Sequence, residues 1–378
     1  MRIAIFSQLR SPWSRQAALR LSELGHRVHF IDFKNLRKNT GDLHCRDEVF
    51  SQDIDRFCEQ MEGIHLINTG FSGNIRYAVY APELRSICKR CEADILLTLW
   101  GGGWATMAYL SGVRPYSVFV GGGDILRVAG INKRISAFIL KRAALVFANG
   151  CYFGEKAREF APEANIFPLY YGVDTERFSP AGQPSSPLRI ICTRSFGKVY
   201  NNSYLIEALA MMPHDLPEYR VTFTSSGELL ENVRVLADRI LPHWLRPRVE
   251  FLNGVTDDDM VKCLQQSNIY VSLSKYDGTS ISLLEAFSCG LFPVLSDIPQ
   301  NREWVDPDLN NGLLVPLNNP KLLAEALVQA LSDTERRSRA RSINRQMIME
   351  RANGRKTMAI LAHELENIVR KNGCKGDS

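Results

Sequence analysis

The chain of 378 residues lacks any long uninterrupted apolar run. A membrane-spanning helix needs about 20 consecutive apolar residues. The opening segment, "MRIAIF", has one early Arg and only a short apolar run, whereas a signal peptide has a longer apolar core. We therefore expect a cytoplasmic protein, with peripheral attachment to the cytoplasmic face of a membrane left open.

Regularly spaced cysteines and a strong charge imbalance are also missing. The nine cysteines are irregularly spaced and odd in number, which is typical of reduced thiols. Cys88 and Cys91 form a lone Cys-x-x-Cys, and a zinc site of that type needs a second pair, so no metal site is predicted. The net charge of +5 is small for this length. It does not call for a nucleic acid partner, but it suits a phosphorylated ligand or anionic lipid.

The loop after the first predicted strand, "SQLRSPWSR", contains no glycine. A Rossmann dehydrogenase would need G-x-G-x-x-G there, together with an acid at the end of the second strand. Asp32 does end the second strand, but the glycine-rich "GGGDIL" follows a later one. A nicotinamide cofactor is therefore not predicted, and no other cofactor is expected.

Short apolar segments alternate with helical segments in two successive runs along the chain. This alternation is typical of α/β domains with parallel sheets, here two doubly wound, Rossmann-like domains that face each other across a cleft. The Pro- and Ser-rich segment 179–187, "SPAGQPSSP", has the composition of a linker. It separates a first domain at 1–178 from a second at 188–354.

Two acids bracket a loop of small residues in the second domain. Asp277 follows the strand-like "IYVSLS", and Glu285 lies about one turn into the next predicted helix. Backbone N–H groups at that helix N-terminus favour a diphosphate, and the two acids can bind sugar hydroxyls on either side. The simpler alternative is a turn residue and a first-turn helix acid. The intervening residues are Gly278, Thr279, Ser280, Ile281 and Ser282.

The segment "DGTSISLLEAFSCGLFPVLSDIPQNREWV" closely resembles the E-x7-E signature of the retaining glycosyltransferases of family 4, which have the GT-B fold. "YYGVDTERFSP" resembles the family's hinge after the first domain. Asp277 stands where the family most often has Glu, which shortens the side chain by one methylene. The resemblance implies a GT-B fold and a C-terminal helix, 355–371, that packs back on the first domain.

The resemblance also assigns further donor-binding residues. Arg194 and Lys198 lie where the family places two cations on the donor diphosphate, although Lys198 comes one position early. Asn253, Gly254 and Val255 match the turn beside the nucleobase. The alternatives are solvated surface cations and an ordinary turn.

In the first domain, the candidates are residues that would face an acceptor. "VGGGDIL" matches the family's "GSD-x-L", which places Gly123 and Asp124 at the acceptor, unless Asp124 caps the following helix. Trp100 and Trp104 flank three glycines and predict a stacking surface, unless they pack in the core. Trp13, in the loop after the first strand, is a further candidate for stacking on sugar.

The implied activity is transfer of a sugar from a nucleotide-diphosphate-sugar to a glycan or lipid-linked acceptor, in cell-envelope polysaccharide or lipopolysaccharide synthesis. None of the seven histidines lies between His65 and His214, where the family often has one near the reacting carbon. This fits front-face attack without an enzymic nucleophile or a metal. A nucleotide-sugar 2-epimerase and a non-catalytic nucleotide-sugar-binding partner are the alternatives.

Residues 127–142 combine basic and apolar side chains. Such a helix can lie on an anionic membrane surface, and it can equally be a packed helix with charged ends.

Overall fold

The computed structural model describes residues 1–34, 47–71, 73–182 and 186–373, with the backbone alone at 47–53. The chain forms two compact units. One comprises residues 1–34, 50–71, 73–171 and the chain from Arg355 onward, and the other is built on Gly172–Gly354. No helix in the described ranges has both the length and the apolar character needed to cross a membrane.

The first unit contains a seven-stranded parallel sheet in the order β3-β2-β1-β4-β5-β6-β7. Its central strands are short apolar segments because helices cover both faces of such a sheet. The strands are β1 (Arg2–Phe6), β2 (Arg27–Phe33), β3 (Gly63–Ile67), β4 (Ile95–Thr98), β5 (Tyr116–Val120), β6 (Leu145–Ala148) and β7 (Ile166–Pro168). The helices are α1 (Pro12–Glu23), α2 (Asp47–Gln60), α3 (Ile75–Val79), α4 (Ala81–Arg90), α5 (Gly102–Ser111), α6 (Gly123–Leu126), α7 (Gly130–Lys141) and α8 (Cys151–Phe160).

The second unit contains a six-stranded parallel sheet in the order β10-β9-β8-β11-β12-β13. Its strands are β8 (Leu188–Cys192), β9 (Tyr219–Phe223), β10 (Val249–Phe251), β11 (Ile269–Ser272), β12 (Phe292–Ser296) and β13 (Leu313–Val315). The helices are α9 (Asn202–Ala210), α10 (Leu230–Ile240), α11 (Asp257–Gln265), α12 (Ile281–Ser288), α13 (Pro299–Arg302), α14 (Pro320–Ser332) and α15 (Thr334–Arg351). The prediction of two α/β domains with parallel, doubly wound sheets is confirmed.

The boundary between the units lies at Tyr171 and Gly172, ahead of the predicted position at 178. The carbonyl groups of Thr175 and Phe178 accept hydrogen bonds of 2.7 and 2.8 Å from Arg345 of α15, which ties this segment to the second unit. Of the linker predicted at 179–187, residues 183–185 lie outside the described residues.

The last helix, α16 (Gly354–Gly373), returns the chain to the first unit. Thr357 Oγ1 donates a hydrogen bond of 3.4 Å to the carbonyl of Tyr171, and His26 Nε2 lies 3.9 Å from a carboxylate oxygen of Glu366. These contacts fix α16 against elements of the first unit.

Helix α15 is held in the second unit by a buried asparagine. Asn344 donates hydrogen bonds of 3.0 Å to the carbonyls of Leu291 and Asn311, and its own carbonyl accepts one of 2.8 Å from the Asn311 amide. Both side chains are fully buried. Buried polar groups of this kind stabilise a fold only while all their partners are present.

We expect Asn344→Ala to lower the free energy of unfolding of the second unit by on the order of 2–4 kcal/mol, because it removes three buried hydrogen bonds. Ser342→Ala, an exposed position on the same helix, is the control and should change it by less than about 0.5 kcal/mol. Urea unfolding followed by circular dichroism measures both. Equal midpoints for the two variants would show that this network does not stabilise the unit.

Candidate active site

The loop between β11 and α12 brings the predicted donor-binding residues together. Ser280 has extended backbone angles directly before the helix, and the side chains of Thr279 and Ser280 are buried. The Gly278 N–H donates a hydrogen bond of 2.9 Å to Asp277 Oδ1. The N-terminus of α12 therefore begins at a compact polar loop.

Arg194, just after β8, is the centre of this polar cluster. One of its terminal nitrogens lies 2.6 Å from Asp277 Oδ2, and the other donates to the hydroxyls of Ser280 and Ser282 at 2.5 and 2.9 Å. Its planar guanidinium also lies over the Tyr200 ring, 4.3 Å from the centroid. Its Nε is buried and has no hydrogen-bond partner among the described residues.

The two acids predicted to bracket the donor have different environments. Burial raises the pKa of Asp277, and the Arg194 guanidinium and the Gly278 N–H act against that rise. Burial raises the pKa of Glu285 to about 8, with a further rise from the Asp257 carboxylate and opposition from Arg177 and Arg194.

The Glu285 carboxylate has neither a hydrogen-bond nor an ion-pair partner within the described part of the chain. Asp277 is thus already paired, whereas Glu285 is a half-buried acceptor without a donor. A carboxylate in that state gains most from a ligand hydroxyl group that donates to it.

Lys198 does not join the Arg194 cluster. The turn at 197–200, closed by a 3.0 Å hydrogen bond from the Tyr200 N–H to the Gly197 carbonyl, leaves Lys198 exposed. It lines a cavity of about 790 Å³ that α9 and α10 also line, together with Lys275. Neither Asp277 nor Glu285 lines that cavity. The structure therefore does not bring the second predicted cation to the first.

The turn after β10 carries the residues predicted to flank a nucleobase. Asn253 and Gly254 both have left-handed backbone angles, with φ of 55° and 104°. The Gly254 N–H donates a hydrogen bond of 2.9 Å to the Thr224 carbonyl at the end of β9, and Val255 follows half-buried. This fixes the turn beside the end of β9.

The loop after β9, 224–227, is a part of the site that sequence reasoning missed. The Ser225 hydroxyl donates a hydrogen bond of 2.9 Å to the Thr193 carbonyl, one residue before Arg194. A Cβ on Gly227 would lie 2.7 Å from the Phe196 backbone, so glycine permits this close approach. The run of small residues directly after the strand, "TSSGE", was the available signal.

In the first unit, Asp124 organises a glycine loop. Its two carboxylate oxygens accept hydrogen bonds from the N–H groups of Gly101, Gly121 and Gly122, at 3.0, 3.3 and 2.8 Å. Burial raises the pKa of Asp124, against the effect of these three donors. Gly123 beside it is exposed. The acid thus holds the ends of β4 and β5 together and has little capacity left for an acceptor hydroxyl.

The prediction of a tryptophan stacking surface is wrong for Trp104 and Trp13. Trp104 is 6% exposed and lies against Phe6, with ring centroids 4.4 Å apart. Trp13 is 5% exposed and lies 3.8 Å from the ring of Tyr171. Each indole fills the core because the neighbouring strands supply aromatic partners.

Trp100 is partly buried against the same core. Its indole Nε1 is buried without a hydrogen-bond partner among the residues described. It is therefore the one of the three predicted tryptophans that keeps some surface for a ligand.

Comparison with known proteins agrees with this geometry. Residues 174–347 match the family model described as glycosyl transferases group 1. The chain is 30% identical over 203 residues to a GDP-mannose:cellobiosyl-diphosphopolyprenol alpha-mannosyltransferase of Xanthomonas oryzae, an alignment that covers 53% of this chain. It covers 51% of that protein, so the chain spans about half the length of this relative. The protein of the same description from Xanthomonas campestris is 27% identical over 78% of this chain and 79% of its own length.

Solved structures resemble the whole chain in fold. Anabaena HepE in complex with UDP-glucose superposes with a TM-score of 0.75 at 16% identity, over 97% of this chain and 100% of that one. Sucrose-phosphate synthase of Thermosynechococcus elongatus gives 0.78 at 15% identity, over 98% and 100%. The expected GT-B fold is confirmed.

Proposed function

We propose that this chain is a retaining glycosyltransferase of family 4 that moves a sugar from a nucleotide-diphosphate-sugar to a lipid-linked or glycan acceptor. The observation that carries the proposal is the pairing of Arg194 with Asp277 in the same loop and helix as the unpaired, half-buried Glu285. All three lie in the region that matches the group 1 glycosyl transferases. The family 4 assignment follows from the Asp277-x7-Glu285 resemblance.

The donor diphosphate binds at the N-terminus of α12 and at Arg194. The free N–H groups of the first helical turn and one guanidinium offer positive charge that matches a diphosphate. When the diphosphate arrives, it replaces the serine hydroxyls as partners of Arg194. The same groups stabilise the departing nucleoside diphosphate, so the proposal needs no metal ion for that charge.

Glu285 accepts hydrogen bonds from the ribose hydroxyls of the donor. In the free protein its raised pKa, about 8, keeps the carboxyl largely protonated at neutral pH. Two donated hydrogen bonds favour the ionised form, so nucleotide binding releases a proton. Asp277, which is one methylene shorter than the Glu usual in the family, binds the transferred sugar.

The acceptor hydroxyl attacks the anomeric carbon from the face on which the diphosphate leaves. The bond from that carbon to the leaving phosphate oxygen breaks as the new glycosidic bond forms. The leaving oxygen takes the proton of the acceptor hydroxyl, which accounts for retention without an enzymic base. No protein nucleophile is required in this course.

Relatives suggest which substrates to test first. Two of them are described as GDP-mannose:cellobiosyl-diphosphopolyprenol alpha-mannosyltransferases, and a third as a subunit of a phosphatidylinositol N-acetylglucosaminyltransferase. We assign this chain a polyprenol-linked acceptor and a role in envelope polysaccharide or lipopolysaccharide assembly on that basis. GDP-mannose is the first donor to examine.

Helix α7 provides the surface of the first unit that contacts the membrane carrying such an acceptor. Ile131, Ile135 and Phe138 lie on one stripe of the helix and are 68%, 46% and 44% exposed. Lys133 and Arg134 are exposed beside them. Exposed apolar residues flanked by cations favour a peripheral contact with an anionic membrane surface.

The activity test is transfer from a panel of GDP- and UDP-sugars to a polyprenyl-diphosphate-linked oligosaccharide, with the anomeric configuration of the product read by NMR. We expect transfer with net retention. Conversion of a donor to its 2-epimer, or donor binding without transfer to the polyprenyl-diphosphate-linked acceptor, would contradict the proposal.

Two conservative variants test the arrangement of the donor along the loop. Glu285→Gln should weaken nucleoside diphosphate binding roughly tenfold to a hundredfold, because it loses charged hydrogen bonds worth about 1–3 kcal/mol. Asp277→Asn should lower transfer but change nucleoside diphosphate affinity by less than about threefold, since Asp277 contacts no part of the nucleoside diphosphate and the asparagine carbonyl can still accept a hydrogen bond from Arg194. Titration calorimetry measures both, with exposed Asp238→Asn as the control. If Asp277→Asn weakens binding as much as Glu285→Gln does, the order ribose, diphosphate, sugar is wrong.

The raised pKa of Glu285 predicts a pH-dependent stability without ligand. The folded pKa lies above the unfolded one, so the stabilisation is present below about pH 4.5 and is lost as the pH rises through about 8. Glu285→Gln removes this loss. Relative to the wild type, the variant should gain roughly 2–4 kcal/mol in unfolding free energy between pH 5 and pH 9. Exposed Glu325→Gln is the control, and a pH profile for Glu285→Gln parallel to the wild type would show that the carboxyl is not desolvated.

The membrane surface is tested by flotation with vesicles that contain anionic lipid. The double variant Ile131→Glu/Ile135→Glu should lose at least about nine-tenths of the bound fraction, because it places two anions on the apolar stripe. Val235→Glu, at a 64% exposed position on α10, is the control and should bind as the wild type does. Unchanged binding by the double variant, or no binding by the wild type, would exclude this surface.

A further inference from the structure

Three side chains that commonly bind metals meet at one edge of the first unit's sheet. His29 lies on β2, His65 on the edge strand β3, and Cys91 at the C-terminal end of α4. His65 Nε2 lies 3.4 Å from His29 Nδ1 and 3.2 Å from Cys91 Sγ. All three atoms lie within 4.8 Å of one another. None of these residues contributes to the proposed sugar transfer.

The distances match the edges of a tetrahedral zinc site. With Zn–N bonds of about 2.0 Å and a Zn–S bond of about 2.3 Å, two nitrogen ligands lie about 3.3 Å apart, and a nitrogen and a sulfur about 3.5 Å apart. The two separations given for His65 Nε2 are close to these values. The third separation, between the ligand atoms of His29 and Cys91, is no longer than 4.8 Å. A rotation of the imidazole would shorten it.

A glycine in the edge strand creates the space for the two imidazoles. Gly63 is the register partner of His29, and His65 is two residues further along on the same face. A Cβ on Gly63 would lie 2.6 Å from His29 Nδ1 and 3.1 Å from His65 Nε2. Any larger residue at position 63 would therefore occupy the place where the ring nitrogens converge.

Access and burial also suit a bound ion. Both imidazoles are partly exposed, whereas Cys91 is 8% exposed. Partial exposure leaves a path for the metal and for a water molecule, and the buried thiol supplies a soft ligand that favours zinc. Cys88, the other thiol of the "CKRC" segment, packs in the apolar core and does not belong to the cluster.

We propose that His29 Nδ1, His65 Nε2 and Cys91 Sγ bind one Zn²⁺ ion, with water in the fourth position. Binding converts the Cys91 thiol to a thiolate and releases its proton to solvent, while both ligating nitrogens are unprotonated. The ion links β2, β3 and the end of α4. It thereby fastens the edge strand of the sheet, which has a neighbour on one side only.

Cobalt titration of the chelator-treated, full-length protein tests the site, since Co²⁺ takes the same ligands and is coloured. We expect one Co²⁺ per chain, a thiolate-to-cobalt charge-transfer band, and the visible bands of tetrahedral cobalt. Zn²⁺ should displace the cobalt and raise the melting temperature of the wild type. Cys91→Ser should abolish the charge-transfer band.

Matched variants separate this site from adventitious binding. Cys88→Ser and His243→Asn, an exposed histidine of the second unit, should leave cobalt affinity within about twofold of the wild type. Gly63→Ala keeps every ligand but fills the space between the rings, and it should weaken affinity at least about tenfold. Circular dichroism verifies that each variant is folded, and His29→Gln gives a second ligand variant if Cys91→Ser is not.

Three results would overturn the proposal. They are no stoichiometric cobalt binding by the wild type, a charge-transfer band that survives Cys91→Ser, and a band lost in Cys88→Ser. Each would show that these three residues do not form the proposed zinc site. Sugar transfer is measured separately and depends on none of these results.

Discussion

The ion pair between Arg194 and Asp277 is the interaction on which the second unit's site depends. It links the end of β8 to the loop that enters α12, and it positions the hydroxyls of Ser280 and Ser282 at the same guanidinium. Both side chains are largely buried. Removing one partner of a buried pair typically costs 3–5 kcal/mol, because the other charge is then left uncompensated. The cation is therefore in place before any ligand arrives, and little reorganisation is needed to receive an anion.

Asp277 and Glu285 lie eight positions apart in the chain, and they differ in whether their carboxylates have partners, because their surroundings differ. Asp277 lies beside a guanidinium and a backbone N–H, whereas Glu285 lies half-buried on a short apolar helix without a donor. The first has a structural partner that a ligand can replace. The second has an unmet capacity for hydrogen bonds that only a ligand can fill. One loop and one helical turn thus provide two different kinds of recognition.

The fold could be predicted largely from the sequence, because strands of parallel sheets are covered on both faces and appear as continuous apolar runs. Helix α15 escaped prediction. Its fully buried residues are Ala340, Asn344 and Ile348, one residue per turn in an otherwise polar and basic helix, so no apolar face is visible in the sequence.

The candidate site was predictable in part. The chain order of strand, loop and helix identified the loop of Asp277 and the helix of Glu285. Sequence could not show that Trp104 lies in the core or that Lys198 turns outward, because both depend on side-chain packing and the path of one tight turn. Nor could the sequence show that His29, His65 and Cys91 lie together, since strand register and a glycine in the neighbouring strand determine that contact.

The second unit is an insertion into the first, and the structure brings the two ends of that insertion together. Val173 and Asn353 form a parallel bridge, and the Gly354 N–H donates a hydrogen bond of 2.8 Å to the Val173 carbonyl. For the first unit, the folded insertion therefore acts as a short closed loop, so the entropy lost when α16 returns to its place is small. If the insertion unfolded, a long flexible loop would connect α16 to the rest of the first unit, and closing that loop would cost more entropy. The first unit's last helix thus depends, through chain connectivity alone, on the folding of the domain that precedes it.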